Sequence, residues 1–245
     1  MSPEPLLRLD GVAKQFGGFR ALDGVSFTLN VGEVLGLVGP NGSGKTTCIN
    51  VVSGIYAPDG GEIWFEGRPI GGMAPHRIVH LGINRTFQVP RPFSALTVRE
   101  NVEVAIAYGG QTGAGVELVD VDRLLGDLDL LDFASKPAAQ LNSTQQKMLD
   151  LARALATRPK LLLVDELAAG LNPSELDAIG DKLKQLARSG IALLVVEHLM
   201  RFIDQITDRI IVMNAGKEIF EGVLVEAAKD PRVVEVFLGG EDAAG

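Results

Sequence analysis

The chain has 245 residues and a mass of 26.0 kDa, enough for one large domain or two small ones. Lys and Arg total 23 against 31 for Asp and Glu, and the net charge of −8 with a pI near 5.0 argues against a nucleic-acid module, which needs a basic face. Hydrophobic residues at 46% with 22% charged exclude a disordered chain, and the one cysteine, Cys48, excludes an internal disulfide or a cysteine-rich zinc site.

Residues 7–15, 26–30 and 62–65 are short segments of strand propensity with turn residues between them, which predicts an antiparallel sheet beside a parallel one. Residues 34–38 (VLGLV) read as a buried strand that runs into glycines and then a helix over 46–52. From about residue 89 to residue 141 the character changes. Helical patterns at 98–107 and 120–128 flank a glycine-rich interruption at 109–115, and no buried strand is visible. This predicts a helical insertion in an α/β core. Buried-type strands return at 161–164 (LLLV) and 191–196 (IALLVV). Between them, residues 173–189 place Leu176, Ile179, Leu183 and Leu186 at helical spacing, with Asn172 or Ser174 as the cap. A late hairpin is expected from 209–214 and 217–220 around Ala215-Gly216. Apolar runs alternating with helices are the pattern of a parallel sheet covered by helices, hence an α/β fold. Mean hydropathy is +0.20, but no apolar run approaches the ~18 residues that span a bilayer, and the N-terminus lacks the basic start and apolar stretch of a signal peptide. The expected location is the cytoplasm.

Residues 39–47 read GPNGSGKTT, a match to G-x-x-x-x-G-K-[ST]. Gly39, Pro40, Asn41, Gly42, Ser43 and Gly44 form a loop whose backbone N–H groups can wrap phosphates, and the helix that follows points its positive end at them. Lys45 can reach the β- and γ-phosphates, the Thr46 hydroxyl can ligate Mg²⁺, and Thr47 completes the run. The motif follows a predicted strand and opens a predicted helix, which is the context such a loop requires.

A phosphate-loop enzyme also needs a carboxylate at a strand end to hold Mg²⁺. LLLVDE at 161–166 supplies Asp165, and two adjacent acids there would be costly to bury without a cation. Glu166, one residue on, can act as general base on the attacking water. His198 closes the next buried run, and parallel strands deliver their C-terminal ends to the edge where the phosphates sit. Its imidazole can hydrogen-bond the γ-phosphate and orient the water. His76 and His80 keep a structural reading. Gln88, after the apolar stretch around 83–87, is either a ligand of Mg²⁺ and water or an ordinary polar residue; spacing alone does not choose.

Over nearly its whole length the sequence resembles the ATP-binding cassette (ABC) ATPases. Phe16 in KQFGG resembles the aromatic that stacks on adenine, with Phe19 as the alternative ring. GPNGSGKTT resembles the Walker A loop, Gln88 in RTFQ the Q-loop, and LNSTQQ at 141–146 stands at the signature position. LLLVDE resembles Walker B, AGLN at 169–172 the D-loop, and His198 the switch histidine. The resemblance implies a RecA-like parallel-sheet core with an antiparallel β part and an inserted helical subdomain, here 1–88 and 157–245 for the core lobe and about 89–156 for the insertion. It implies ATP and Mg²⁺ as ligands, with Thr46, Gln88 and Asp165 on the metal and Lys45, Gln88, Glu166 and His198 in the catalytic set. It also implies a head-to-tail dimer in which each ATP lies between one chain's Walker motifs and its partner's signature, here Asn142, Ser143, Thr144 and Gln145. Permease subunits in the membrane and, through them, a substrate-binding protein are the further implied partners. RTFQ, AAGLNP and the tail DPRVVEVFLGG are similar to the ATPase subunits of branched-chain amino-acid importers, with urea and amide importers as related alternatives.

Two positions depart from the family pattern. Leu167 stands where a proline is usual, with little expected consequence. The signature LSGGQ reads LNSTQ, with Thr144 at a glycine position where positive φ and close backbone approach would be tolerated. An asymmetric pair follows as an expectation: this chain's own ATP is hydrolysed, and a partner's ATP, completed by LNSTQ, turns over slowly or is merely held. A subunit that binds ATP in a regulatory role is the alternative. DNA-linked relatives carry long coiled coils or zinc-binding cysteines, and ribosome-associated ones carry two cassettes; neither feature is present in this sequence.

Overall fold

The computed structural model describes residues 4–109 and 119–238. Strands β1 (Leu7–Phe16) and β2 (Phe19–Leu29) form a hairpin across Gly17 and Gly18, and β4 (Gly60–Phe65) and β5 (Arg68–Pro69) extend it into an antiparallel sheet ordered β2-β1-β4-β5. The second sheet contains β3 (Val34–Val38), β6 (Ile83–Arg85), β7 (Leu161–Asp165), β8 (Ala192–Val196), β9 (Arg209–Asn214) and β10 (Lys217–Gly222), in the order β10-β9-β3-β8-β7-β6. Its first five strands in chain order run parallel, and β10 turns back antiparallel on β9. All C-terminal ends of the parallel strands therefore meet at one edge.

Alternate residues of the central strands feed two cores. Val34, Val38, Leu162, Val164, Leu193, Val195, Ile210 and Val212 face a core shared with α3 (Val98–Gly109), α4 (Val121–Asp127), α5 (Ser143–Ala156), α6 (Pro173–Arg188) and α7 (Met200–Ile206). Leu35, Leu37, Leu161, Leu163, Leu194 and Val196 face the other, built with α1 (Lys45–Val52), α2 (Pro75–Leu81) and the antiparallel sheet. Each such side chain contributes roughly 1.5–3 kcal/mol by leaving water. Two short helices, α8 (Leu224–Ala227) and α9 (Pro231–Leu238), end the described chain.

The runs expected as buried strands at 34–38 and 161–164 are strands, the one expected at 191–196 begins a residue later at Ala192, and the late hairpin is present. Asn172 caps α6 through a reciprocal bond with Glu175, and Ser174 donates to the Asn172 side chain. Between β6 and β7 the described residues form helices and 3-10 turns without a strand. The glycine-rich interruption lies, beyond Gly109, outside the described residues. Strand β2 begins well before residue 26, because bulges in its pairing with β1 absorb the residues that break the alternation. Strands β5 and β6 and helices α2, α5 and α7 were not expected; β5 and β6 are too short to carry a period. No helix among the described residues is long and apolar enough to cross a membrane.

Candidate functional site

Parallel register brings the sequence-predicted residues to one edge. Leu37 and Asp165 both stand level with Val196, so the loop after β3, the acids after β7 and the histidine after β8 emerge side by side. Gln88 arrives from β6, whose Arg85 pairs with Leu163.

Helix α1 starts at Lys45 with Gly44 as its N-cap, left-handed at φ 110 and without a side-chain cap. The first N–H groups of α1 thus point into the loop, with no side-chain acceptor of the chain's own at the cap. Glycine is required at two points of this loop. A Cβ on Gly39 would lie 2.2 Å from the Met213 carbonyl oxygen, and one on Gly44 would lie 2.6 Å from that of Ala21. The Lys45 ammonium bonds the carbonyls of Gly39 at 2.8 Å and Pro40 at 2.9 Å. Burial pulls its pKa down, and the charges of Glu166 and Asp165 oppose that shift. Asn41, Gly42 and Thr46 are exposed on the open side, Ser43 is buried, and Pro40 and Thr47 are half-buried. An oxygen-only set of the Thr46 hydroxyl, the Asp165 carboxylate and the Gln88 amide has the hard-donor chemistry that Mg²⁺ takes.

Glu166 sits in the left-handed region at φ 49, which aims its side chain out of the strand end. Its two oxygens are each engaged: Gln88 Nε2 donates to Oε2, and His198 Nε2 lies 2.8 Å from Oε1. The structure therefore unites Gln88, Glu166 and His198, residues that spacing alone could only nominate. His76 and His80 are exposed on α2.

Asp165 has a protein partner that the sequence did not reveal. Arg85 reaches its Oδ2 at 3.2 Å, with the two side chains 9% and 4% exposed. The guanidinium also bonds Asn50 Oδ1 at 2.6 Å and lies over the Phe87 ring, 4.6 Å from its centroid. Arg85 is thus a counter-charge to Asp165 borne by the chain itself, distinct from the metal cation expected beside the two acids. Burial still pushes the Asp165 carboxyl up, and Arg85 pulls the other way. Further out, the Phe87 N–H bonds Asp150 Oδ2 at 2.8 Å and Arg153 lies 3.6 Å from Asp150. These charges line the floor of a groove of about 320 Å³ with Phe87, Phe93 and Tyr108 exposed along it.

Phe16, 41% exposed, is braced edge-on by Tyr56 with ring centroids 5.0 Å apart and has Lys14 over its face at 5.5 Å. Phe19, its cross-strand neighbour, is 61% exposed. Residues 142–145 open α5. Asn142 is the N-cap, accepting from Gln145 N at 2.8 Å, and Gln145 Oε1 accepts from Asn142 N at 3.0 Å. Ser143 and Thr144 follow in helical backbone, and neither has positive φ. The β-branched residue at 144 meets no backbone strain, which corrects the expectation that a left-handed conformation is at stake there.

Glu197, directly before His198, is 3% exposed and accepts the Ala168 N–H at 2.7 Å. Burial pushes its carboxyl from the ordinary 4.5 up to about 7, with the Ala168 N–H and the Lys147 ammonium favouring the charged form. The folded chain keeps a proton that the unfolded chain releases between 4.5 and about 7, so stability falls as pH rises through that window. A glutamine keeps the acceptor and lacks the charge. Glu197→Gln is expected to stabilise the protein by about 3 kcal/mol at about pH 8 and much less at about pH 5. Urea midpoints at the two pH values measure it; equal midpoints for both proteins at the higher pH would refute it.

Residues 22–169 match the sequence profile of a family described as ABC transporter. The chain is 38% identical over 249 residues to the probable branched-chain amino acid transport ATP-binding protein LivG of Archaeoglobus fulgidus, covering 97% of each. It is 35% identical over 250 residues to the high-affinity branched-chain amino acid transport ATP-binding protein BraF of Pseudomonas aeruginosa, covering 96% of this chain and 98% of that one. Among solved structures, a nucleotide-free ATP-binding cassette from an ABC transporter superposes with a TM-score of 0.86 at 33% identity, over 96% of this chain and 99% of the other. A dimeric cassette bound to ADP and Pi gives 0.78 at 27% identity, over 89% and 98%.

Proposed function

Because the chain belongs to the ABC transporter family, whose ATP-binding cassettes are ATPases, we propose that it is the ATP-hydrolysing subunit of an importer for branched-chain amino acids. The observation that carries the hydrolytic part is the engagement of both Glu166 oxygens by Gln88 and His198 at the edge next to the phosphate loop. The cargo rests on the names of relatives matched almost end to end.

In this reading the N–H groups of residues 39–44 and the start of α1 cradle the phosphates, and the Lys45 ammonium exchanges its carbonyl partners for phosphate oxygens. Phe16 offers its exposed face to adenine. Thr46, Gln88 and Asp165 would hold Mg²⁺, which would supply positive charge to the phosphates. Glu166 takes the proton of the attacking water, and the His198 Nε2 that rests on Glu166 Oε1 exchanges that contact for the γ-phosphate when ATP is bound. The site is completed by residues 142–145 of a second cassette chain. The groove bearing Phe87, Phe93 and Tyr108 seats a permease subunit, so the chain lies on the cytoplasmic side of the membrane. A substrate-binding protein delivers cargo to that permease from the other side.

Co-expression with the permease subunits of a branched-chain amino-acid importer tests this. The chain should co-purify with those membrane subunits, and in liposomes its ATP turnover should rise several-fold, about threefold or more, when binding protein loaded with leucine is added. A chain that stays out of the membrane fraction overturns the transport reading.

A further inference from the structure

We infer that Lys147 is a positioning residue for hydrolysis: from α5 it holds the backbone of the turn that carries Glu166, opposite Glu197. Three carbonyls of this turn converge on one ammonium. The Nζ of Lys147 donates to Glu166 O at 3.4 Å, Leu167 O at 3.0 Å and Ala169 O. An ammonium has three N–H donors, and this site uses all of them. The opposite rim is held by the Glu197 carboxyl oxygen on the Ala168 N–H at 2.7 Å, and by Val196 O on the Glu166 N–H at 2.9 Å. The turn is worth holding because Glu166 has φ 49, a conformation that non-glycine residues keep only when their surroundings impose it.

Lys147 stands one turn into the helix that Asn142 caps. The position of α5 and the aim of the Glu166 side chain are therefore mechanically joined through a single side chain. A displacement of residues 142–145 along their helix axis moves the ammonium, and with it three carbonyls of the hydrolytic turn. The inference deepens the reading of Glu166 as proton acceptor and rests on it.

Lys147→Met removes the donors and keeps the stem, and Lys147→Arg restores a cation. In the full chain, amide exchange at residues 167–171 should accelerate about tenfold or more in Lys147→Met while the other core amides stay as in the wild type. In the assembled transporter kcat should fall about tenfold or more with KM within about twofold, and Lys147→Arg should recover a large part of both. If Lys147→Met does not fold, Lys147→Gln, with a neutral amide donor, gives the same readouts at intermediate size. Unchanged exchange at 167–171 overturns the inference, and so does a parallel loss of kcat, KM and melting temperature. If exchange accelerates but Glu166→Gln leaves turnover intact, the clamp stands and the reading of Glu166 falls.

Discussion

Replacing Glu166 with glutamine is expected to lower ATP turnover by about 10²–10⁴-fold, the usual contribution of a positioned general base. Nucleotide binding should stay within a few-fold of wild type, because the phosphate loop and the Phe16 platform are untouched. The substitution is close to isosteric. A glutamine side chain at 166 can still accept from Gln88 Nε2 and face His198 Nε2, so the geometry persists while the basicity is lost. In an assembly with a different second cassette, the consequence is directional. The Walker elements of this chain are intact, and residues 142–145 depart from the common signature. Glu166→Gln should then remove most of the complex's turnover, and the equivalent change in the partner should remove less. Steady-state ATPase rates of the two singly mutated complexes decide this; a greater loss from the partner mutation would reverse the assignment.

Removing Arg85 should be the most destabilising single change at the site. Its guanidinium is 3.2 Å from Asp165 and 2.6 Å from Asn50, and both charged side chains are nearly inaccessible. Arg85→Met leaves a buried carboxylate uncompensated, which costs about 3–5 kcal/mol. For a chain of this size that is a fall in melting temperature of roughly 6–20 °C. Asp165→Asn added to Arg85→Met should return part of the loss, since the remaining amide carries no charge. Arg201, exposed on α7, is the control: Arg201→Met should move the midpoint by less than about 2 °C. Thermal melts of the four proteins suffice. A fall for Arg85→Met no larger than that of the control would show the pair to be energetically idle.

The sequence made the central strands and the phosphate loop plain for the same reason: both are local patterns. VLGLV, LLLV and IALLVV are buried on both faces, so each announces itself without knowledge of its neighbours. The loop's glycines and lysine act within one turn of backbone. Arg85 and Asp165, by contrast, are 80 residues apart, and nothing in the RTFQ quartet says which acid its arginine faces. Lys147 sits in a helix whose start is disguised as part of a ligand motif, since the same Asn142 and Gln145 form a capping box. Glu197 left a faint trace as an acid at the end of an otherwise apolar run. The early start of β2 was hidden by bulges, which shift the pairing and erase the period-two pattern.

The reciprocal bonds between Asn142 and Gln145 have a thermodynamic consequence. A loop recruited to an ATP only on contact must surrender its conformational freedom at that moment, at roughly 1–2 kcal/mol for each residue fixed. Here residues 142–145 are already the first turn of a 14-residue helix, locked at both ends of their own cap. That entropy is spent when the chain folds, so in the proposed pairing with a second cassette association would begin from a rigid face, its free energy going into contacts rather than into ordering.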